Sequence, residues 1–198
     1  MRVAGIPLGV GSIAQAYLIN VDFSALPLVD LTSRHTISSP AGVTIVTGGA
    51  NYDGGASTYS TVSGNDTDFD WSGNFYVVGT FTPTDLTGYR SLWDTHEGTG
   101  YASSQRIGLY TEPDGTLRVY TDGVAVASTL AGAVAENVTS EVGLFRSGTR
   151  CYFVVDGVLI SDFELTTVFN SADRRMYIGG SAYSSQQFKG VINSFKTF

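Results

Sequence analysis

The sequence predicts an all-β protein built as a sandwich of two antiparallel sheets, and three observations support this. Apolar and polar residues alternate through short segments, which is the pattern of half-buried strands. Gly-containing turns separate these segments, and glycine accounts for 24 of the 198 residues. Apolar residues with the period of a helix recur nowhere for three turns. A chain of this length fits one large domain with a sizeable core.

The predicted strands follow one another from residue 17 onward. The segment FYVVGTF at 75–81 is apolar on both faces, as expected of a central strand. The turn EPDG at 112–115 joins two strands in a hairpin, since Pro and Gly are favoured at these turn positions. The turn Asp156-Gly157 joins two more, because both of its central residues need a positive φ, which Asp and Gly tolerate. Residues 131–139 are expected to form a loop or one helical turn. The predicted strands are 17–23, 75–81, 106–111, 116–121, 124–128, 141–146, 149–155, 158–161, 175–179 and 188–197.

The charge balance argues against nucleic acid and anionic membranes as partners. The chain has 11 basic and 18 acidic residues, a net charge of −7, and only two lysines, Lys189 and Lys196. Phosphate binding depends on clustered Lys and Arg, and no such cluster occurs. No segment approaches the ~20 apolar residues that a membrane-spanning helix needs. The single cysteine, Cys151, lies in an apolar run and is predicted to be a buried thiol, not a nucleophile.

Residues 1–16 are predicted to form an N-terminal arm that precedes a sandwich domain spanning 17–198. Gly and Pro interrupt the apolar residues, so the arm lacks the unbroken core of a signal peptide. The alternation at positions 6, 8 and 10 fits an extended strand, which needs a sheet edge or another subunit to cover it. We therefore expect a partner contact through Val3, Ile6, Leu8, Val10 and Ile13.

A series of short segments keeps a recognisable order and spacing from residue 17 to the end. The first are YLINVDF at 17–23, VDLTS at 29–33 with HTI at 35–37, GANYDG at 49–54, and DF at 68–69 with GNF at 73–75. The later ones are VGLFR at 142–146, FVVDG at 153–157, IGG at 178–180 and FKGVI at 188–192. Together they resemble the laminin-G-like members of the concanavalin A-like lectin/glucanase superfamily, except that Asn193 stands where the family often has an acid. The resemblance implies a jelly-roll sandwich but not one function.

Glycoside hydrolysis, which some members of the superfamily perform, is not predicted for this chain. Such enzymes need two carboxylates on one surface. The glucanase-like relatives use Glu-x-Asp-x-x-Glu, and none of the five glutamates here forms that motif. Glu136 and Glu141 are five residues apart, with Val138 between them. We therefore predict that the protein is not an enzyme.

Two polar segments are candidates for a functional site: residues 94–97 for a metal or acid–base site, and residues 65–70 for a bound cation. Asp94 and His96 would share one face of a strand, while His35 is far from both in sequence. The segment 65–70 is rich in the oxygen ligands that calcium prefers, but it lacks the spacing of an EF-hand. A polar strand end and a turn capped by Asp side chains are the simpler interpretations. We predict no metal ion and no cofactor.

Aromatic side chains in loops are the candidates for ligand binding, because an exposed ring can stack on the apolar face of a sugar. Trp93, between Leu92 and Asp94, fits core packing better, and Tyr59 is a weaker candidate. The predicted ligand-binding residues are Trp71, Tyr89, Tyr101 and Tyr183.

These observations favour a non-catalytic structural or binding module. The main hypothesis is a virion surface component, such as a bacteriophage decoration, fibre or tail protein. Such a protein would contact other virion proteins, form a homo-oligomer and attach to polysaccharide. The alternative is a carbohydrate-binding lectin domain, either secreted or borne on an extracellular surface. A polysaccharide-active enzyme is the third hypothesis.

Overall fold

A computed structural model of the chain describes residues 17–64, 66–69, 71, 73–97, 106–121, 124–167, 174–181 and 186–198. Two antiparallel β-sheets stack on each other, which confirms the predicted jelly-roll sandwich. A short 3-10 helix, Asp66–Phe69, is the helical element of the described residues. None of their helices is long and apolar enough to cross a membrane.

The first sheet has nine strands in the order β14-β13-β12-β7-β16-β1-β2, with β5 also pairing with β16 and β4 with β5. These strands are β1 (Ile19–Asp22), β2 (Val29–Asp30), β4 (Val43–Val46), β5 (Gly49–Asp53), β7 (Phe75–Pro83), β12 (Ser140–Ser147), β13 (Arg150–Val155), β14 (Val158–Glu164) and β16 (Lys189–Thr197).

The second sheet has seven strands in the order β11-β10-β9-β8-β15-β6-β3. They are β3 (His35–Ser38), β6 (Ser60–Gly64), β8 (Arg90–Glu97), β9 (Ile107–Thr111), β10 (Leu117–Thr121), β11 (Val124–Ser128) and β15 (Arg174–Ile178). β2 and β3 contact each other and join the two sheets along one side of the sandwich. The edge strands β14 and β11 therefore lie on the opposite side.

The core lies between the two sheets and is built from alternate residues of each strand. β7 shows this most clearly, since every second residue from Phe75 to Pro83 is buried. Trp71 from the first layer stacks on Trp93 from the second, with their ring centroids 6.3 Å apart. The burial predicted from the sequence is confirmed for Phe75, Val77, Leu144, Phe153, Val155 and Ile192.

The turns predicted from the sequence are present, but five short strands, β2 to β6, and the longer strand β8 are additional to the predicted ones. Asp156 and Gly157 both have positive φ, 51° and 74°, as their turn requires. Residues 131–139 form a loop of turns and not a helical turn. β3, β4, β5 and β6 are four or five residues long, and most of them are rich in Thr, Ser or Gly. In β6, Val62 is the one large apolar residue that reaches the core, so the alternation is too brief to mark a strand.

Candidate ligand-binding face

The outer face of the seven-stranded sheet carries a row of residues that point away from the core. Trp93, Leu109 and Val119 belong to the core, so the residues that alternate with them along β8, β9 and β10 face outward. Strand register places four outward positions side by side across the sheet, in the order Tyr120, Gly108, Asp94 and Tyr177.

A buried ion pair lies at the centre of this face. The Asp94 side chain is fully buried, and its Oδ2 lies 2.5 Å from Nη2 of Arg106. Arg106 Nε donates a second hydrogen bond, 2.9 Å long, to Asp94 Oδ1. Tyr110 donates its hydroxyl proton to Asp94 Oδ2 at 2.8 Å and accepts a bond from Arg106. Asp94 is thus held by an arginine fork and a phenol, a geometry that fixes all three side chains.

Gly108 makes this arrangement possible. A Cβ atom at this position would lie 2.8 Å from Asp94 Oδ1 and 2.8 Å from Cε2 of Tyr110. Both atoms belong to buried side chains, so neither can move away cheaply. The missing side chain lets the Tyr110 ring pass close over the strand to reach Asp94.

The protonation states of Arg106 and Tyr110 follow from their surroundings. Burial alone would lower the pKa of Arg106, but the Asp94 carboxylate outweighs it and raises the pKa above its usual range. Burial, and then the nearby Asp94 charge, raises the pKa of Tyr110 well above that of a free phenol. At neutral pH the centre of the face therefore holds a charged guanidinium and a neutral phenol.

A second group of polar and aromatic residues lies beside the ion pair, and we call it the Tyr89 cluster: Tyr89, Glu112, Arg118 and Tyr120. Arg118 Nη2 donates to Glu112 Oε2 at 2.9 Å. Burial would lower the pKa of Arg118, but Tyr120, Glu112 and Tyr89 raise it. Tyr89 is 40% exposed, and Tyr120 packs edge-on against Tyr110 with ring centroids 5.1 Å apart.

The Tyr89 cluster leaves hydrogen-bonding capacity unused. Oε1 of Glu112 and Nε of Arg118 are both buried and find no hydrogen-bond partner among the described residues. Burying a polar atom without a partner costs about 1–3 kcal/mol, so native structures seldom leave two side by side. These two atoms are closed to solvent, but the Arg118 and Glu112 side chains are 29% and 11% exposed, so other atoms of the pair face solvent beside the Tyr89 ring.

An open groove of about 440 Å³ lies at the end of the sandwich where these strands turn. Thr87 and Pro113 both line it, and they are close in the chain to Tyr89 and Glu112 respectively. The remaining lining residues are Leu86, Asp114, Gly115, Gly132, Val134, Ala135 and Glu136. The groove adds a concave margin to the Tyr89 cluster.

The aromatic residues predicted to bind a ligand differ in their exposure to solvent. Tyr89 is exposed and belongs to the cluster. Trp71 is not available to a ligand, because its ring is 2% exposed and packs between Trp93 and Phe75 in the core. Tyr101 and Tyr183 lie outside the described residues, as do the arm residues Val3, Ile6, Leu8, Val10 and Ile13.

Three residues of the Tyr89 cluster were not predicted from the sequence: Glu112, Arg118 and Tyr120. The sequence did contain a signal for them. The predicted hairpin, with strands 106–111 and 116–121 and a turn at 112–115, brings residues of the two strands side by side. In the observed register Arg118 pairs with Tyr110, and Glu112 follows Tyr110 by two residues on the same face.

The polar segments that were weighed as cation sites have other roles. Asp68, from the segment 65–70, accepts two hydrogen bonds from Arg34, 2.7 and 2.6 Å long. His35 is buried between two carboxylates, with Nδ1 2.9 Å from Asp30 and Nε2 3.2 Å from Asp68. Asp94 is paired with Arg106. Among the described residues, no three His, Cys, Asp or Glu side chains are grouped so that they could hold a metal ion.

The two glutamates that were weighed as a catalytic pair belong to different parts of the sandwich. Glu136 lies in the loop before β12, where its Oε2 accepts a hydrogen bond from the Leu86 amide at 3.3 Å. Glu141 lies on β12 and is exposed on the outer face of the nine-stranded sheet, opposite Thr80 of β7.

No protein-family model matches the sequence, and no curated protein sequence matches it significantly. Solved structures do share its architecture. A sialidase of Trypanosoma rangeli matches with a TM-score of 0.68 and 16% identity over 90% of this chain and 30% of its own. The binding domain of Paraclostridial Mosquitocidal Protein 1 matches with a TM-score of 0.70 and 13% identity over 92% of this chain and 48% of its own.

A third similar structure is the carbohydrate-binding module CBM40 of the Ruminococcus gnavus IT-sialidase, solved with α2,3-sialyllactose bound. It has a TM-score of 0.54 and 19% identity, over 64% of this chain and 75% of its own. The chain spans less than half the length of the sialidase and of the mosquitocidal binding domain. At these identities the comparisons establish the fold alone, a β-sandwich of the lectin-like kind.

Proposed function

We propose that this chain is a non-catalytic binding module that recognises a glycan through the outer face of its seven-stranded sheet. The observation that carries the proposal is the Tyr89 cluster, where an exposed ring adjoins the partly exposed ion pair of Arg118 and Glu112. A sugar presents an apolar ring face and a rim of hydroxyls. Stacking on Tyr89 would bind the ring face, and hydrogen bonds with the solvent-exposed part of the Arg118–Glu112 pair would bind the hydroxyls.

The rigid centre of the face supports this function. Asp94, Arg106 and Tyr110 are locked together beneath the Tyr110–Tyr120 contact. Recognition sites gain affinity when their side chains are ordered before the ligand arrives, because less conformational entropy is lost on binding. Two of the similar structures are a carbohydrate-binding module with bound sialyllactose and a toxin binding domain, which is compatible with the proposal.

The test is glycan-array screening followed by calorimetric titration of the best soluble oligosaccharide. We expect Tyr89→Ala to weaken binding at least tenfold, about 1.4 kcal/mol, because the stacking surface is lost. Tyr152→Ala on the other sheet is the matched control and should bind as the wild type does. Screening that finds no glycan, or equal affinity for wild type and Tyr89→Ala, would refute the proposal.

The setting that we propose for this module is the surface of a virus particle, with a secreted or surface-borne lectin as the alternative. The basis is the apolar, interrupted segment 1–16 in a chain of low charge with one cysteine. We expect deletion of residues 1–14 to leave a soluble, folded sandwich that no longer joins its neighbouring virion protein. Truncated protein that unfolds, or that assembles normally, would end the hypothesis of a partner-binding arm.

A further inference from the structure

The outer face of the nine-stranded sheet carries an aromatic row that crosses the strands: Tyr17, Phe198, Tyr76, Phe145 and Tyr152. Successive ring centroids are 4.6, 5.6, 6.2 and 5.6 Å apart. Strand register produces the row, because Phe145 pairs with Tyr76 on one side and with Tyr152 on the other. All five rings are partly exposed.

A second row beside the first is aliphatic. Val78 of β7, Gly143 of β12, Val154 of β13 and Leu159 of β14 are consecutive register partners on the same face. A Cβ on Gly143 would lie 3.0 Å from Cε2 of Tyr76, so the absent side chain lets that ring approach the strand closely. The two rows together make one continuous apolar surface.

This surface contradicts the usual pattern of an antiparallel sheet that faces water. Such a sheet alternates apolar residues toward the core with polar residues outward. The first half of the adjoining edge strand β14 is also apolar, with Val158 59%, Leu159 45% and Ile160 41% exposed, and charge is confined to its second half. An apolar edge segment of this kind is a site for association, since natural edges are usually protected by charge or proline. The face therefore has the composition of a protein interface.

We propose that the two rows dock a second copy of this chain, about a two-fold axis. Charge supports this occupant. Lys196 lies at the β16 end of the rows, with its ammonium 5.2 Å from the Tyr17 ring centroid. Asp162 and Glu164 lie at the β14 end, where one arginine, Arg150, pairs with Asp162. Stacking two copies with their rows antiparallel brings the Lys196 end of each copy to the Asp162 end of the other, which is a self-complementary arrangement.

A glycan fits this surface less well than a protein does. The second row, which lies beside the rings, consists of aliphatic residues and glycine. Sugar hydroxyls placed on it would lose their water without gaining hydrogen bonds. The Tyr89 cluster has the opposite character, since its ring adjoins Arg118 and Glu112.

Sedimentation velocity on the full chain tests the proposal. We expect a dimer, and we expect Phe145→Arg to convert it to a monomer because a charge is placed in the centre of the contact. Lys196→Glu and Asp162→Lys should each weaken the dimer at least tenfold, and the double variant should restore it. Lys189→Glu, which changes the other lysine on the same strand, is the matched control and should leave the dimer intact.

Several outcomes would overturn the proposal. One is a sedimentation mass equal to that of a single chain at concentrations up to about 100 μM, which is a hundredfold above a dimer Kd of ~1 μM. Others are a dimer that survives Phe145→Arg and charge variants that the double substitution does not restore. A dimer lost only on deletion of residues 1–14 would assign the contact to the arm instead. Glycan affinity, measured on the same variants with a soluble oligosaccharide, reports separately on the Tyr89 cluster.

Discussion

The two outer faces of the sandwich both carry aromatic rings, but their surroundings differ. On the seven-stranded sheet, Tyr110 and Tyr120 surround charged side chains that are paired and largely buried. On the nine-stranded sheet, the rings contact one another and lie beside an aliphatic row, while the charges of Lys196 and Asp162 lie toward the two ends. Aromatic rings beside fixed polar groups favour a polar ligand, whereas rings beside aliphatic groups favour another apolar surface. The same strand geometry thus produces two surfaces of different chemical character.

The largest difference between the faces should appear in the stability of their ion pairs. Asp94 is fully buried against Arg106, whereas Asp162 and Arg150 have side chains 34% and 56% exposed. We expect Asp94→Ala to lower the free energy of unfolding by about 3–5 kcal/mol, because it removes a fully buried carboxylate that pairs with a largely buried guanidinium. Asp162→Ala should cost less than about 1 kcal/mol, since exposed pairs are screened by water.

Urea unfolding of the two variants, followed by circular dichroism, provides the measurement. Asp162→Ala serves as the control for the loss of one carboxylate of the same type. Similar losses from both variants would mean that the Asp94 pair is open to solvent, and the description of the face as a rigid platform would then be wrong.

The sequence could predict the fold because its signals are local. The alternation in β7 and the positive φ of Asp156 and Gly157 depend on neighbours within a few residues. The aromatic row also has a local signal, since 75–81 is apolar on both faces. That pattern was interpreted as a central strand covered on both sides. It is equally the pattern of a strand whose second face meets another molecule.

The candidate site could not be predicted in the same way, because register and irregular pairing decide it. Asp94 meets Arg106 across the β8–β9 pair, whose register shifts between Ser91 and Trp93. A slip of one residue there would turn Asp94 toward the core. The prediction that Trp71 binds a ligand was wrong. A tryptophan between polar residues resembles an exposed loop residue, but this one fills the core.

The loss of folding stability at alkaline pH should also differ between the tyrosines of the two faces. Burial, then Asp94, raises the pKa of Tyr110, and burial, then Glu141, raises that of Tyr76. A phenol with a raised pKa in the folded state stabilises the protein fully below the unfolded pKa of about 10. That stability is lost as the pH rises from there toward the folded pKa.

We therefore expect Tyr110→Phe to reduce the fall in unfolding free energy between pH 10 and 11 by about 1 kcal/mol. Tyr76→Phe should reduce it less, because Tyr76 is half-buried. Chemical denaturation at each pH gives the measurement, and the slope with pH is compared, not the absolute stability. Equal slopes for Tyr110→Phe and wild type would show that Tyr110 titrates as a free phenol.

The smallest expected effect is on polysaccharide cleavage, where we predict none. A glycosidase needs two carboxylates on one surface, one of them holding a proton. The acids of the seven-stranded face, Asp94 and Glu112, are each paired with an arginine. Glu136 lies in a loop at the end of the sandwich and Glu141 on the opposite sheet, so they do not face a common substrate.

Incubation with β-glucans and related polysaccharides should release no reducing ends, and Glu136→Gln and Glu141→Gln should bind a soluble oligosaccharide as the wild type does. Reducing ends that appear with the wild type and vanish with either variant would make this an enzyme, and the seven-stranded face would then be a substrate-binding surface.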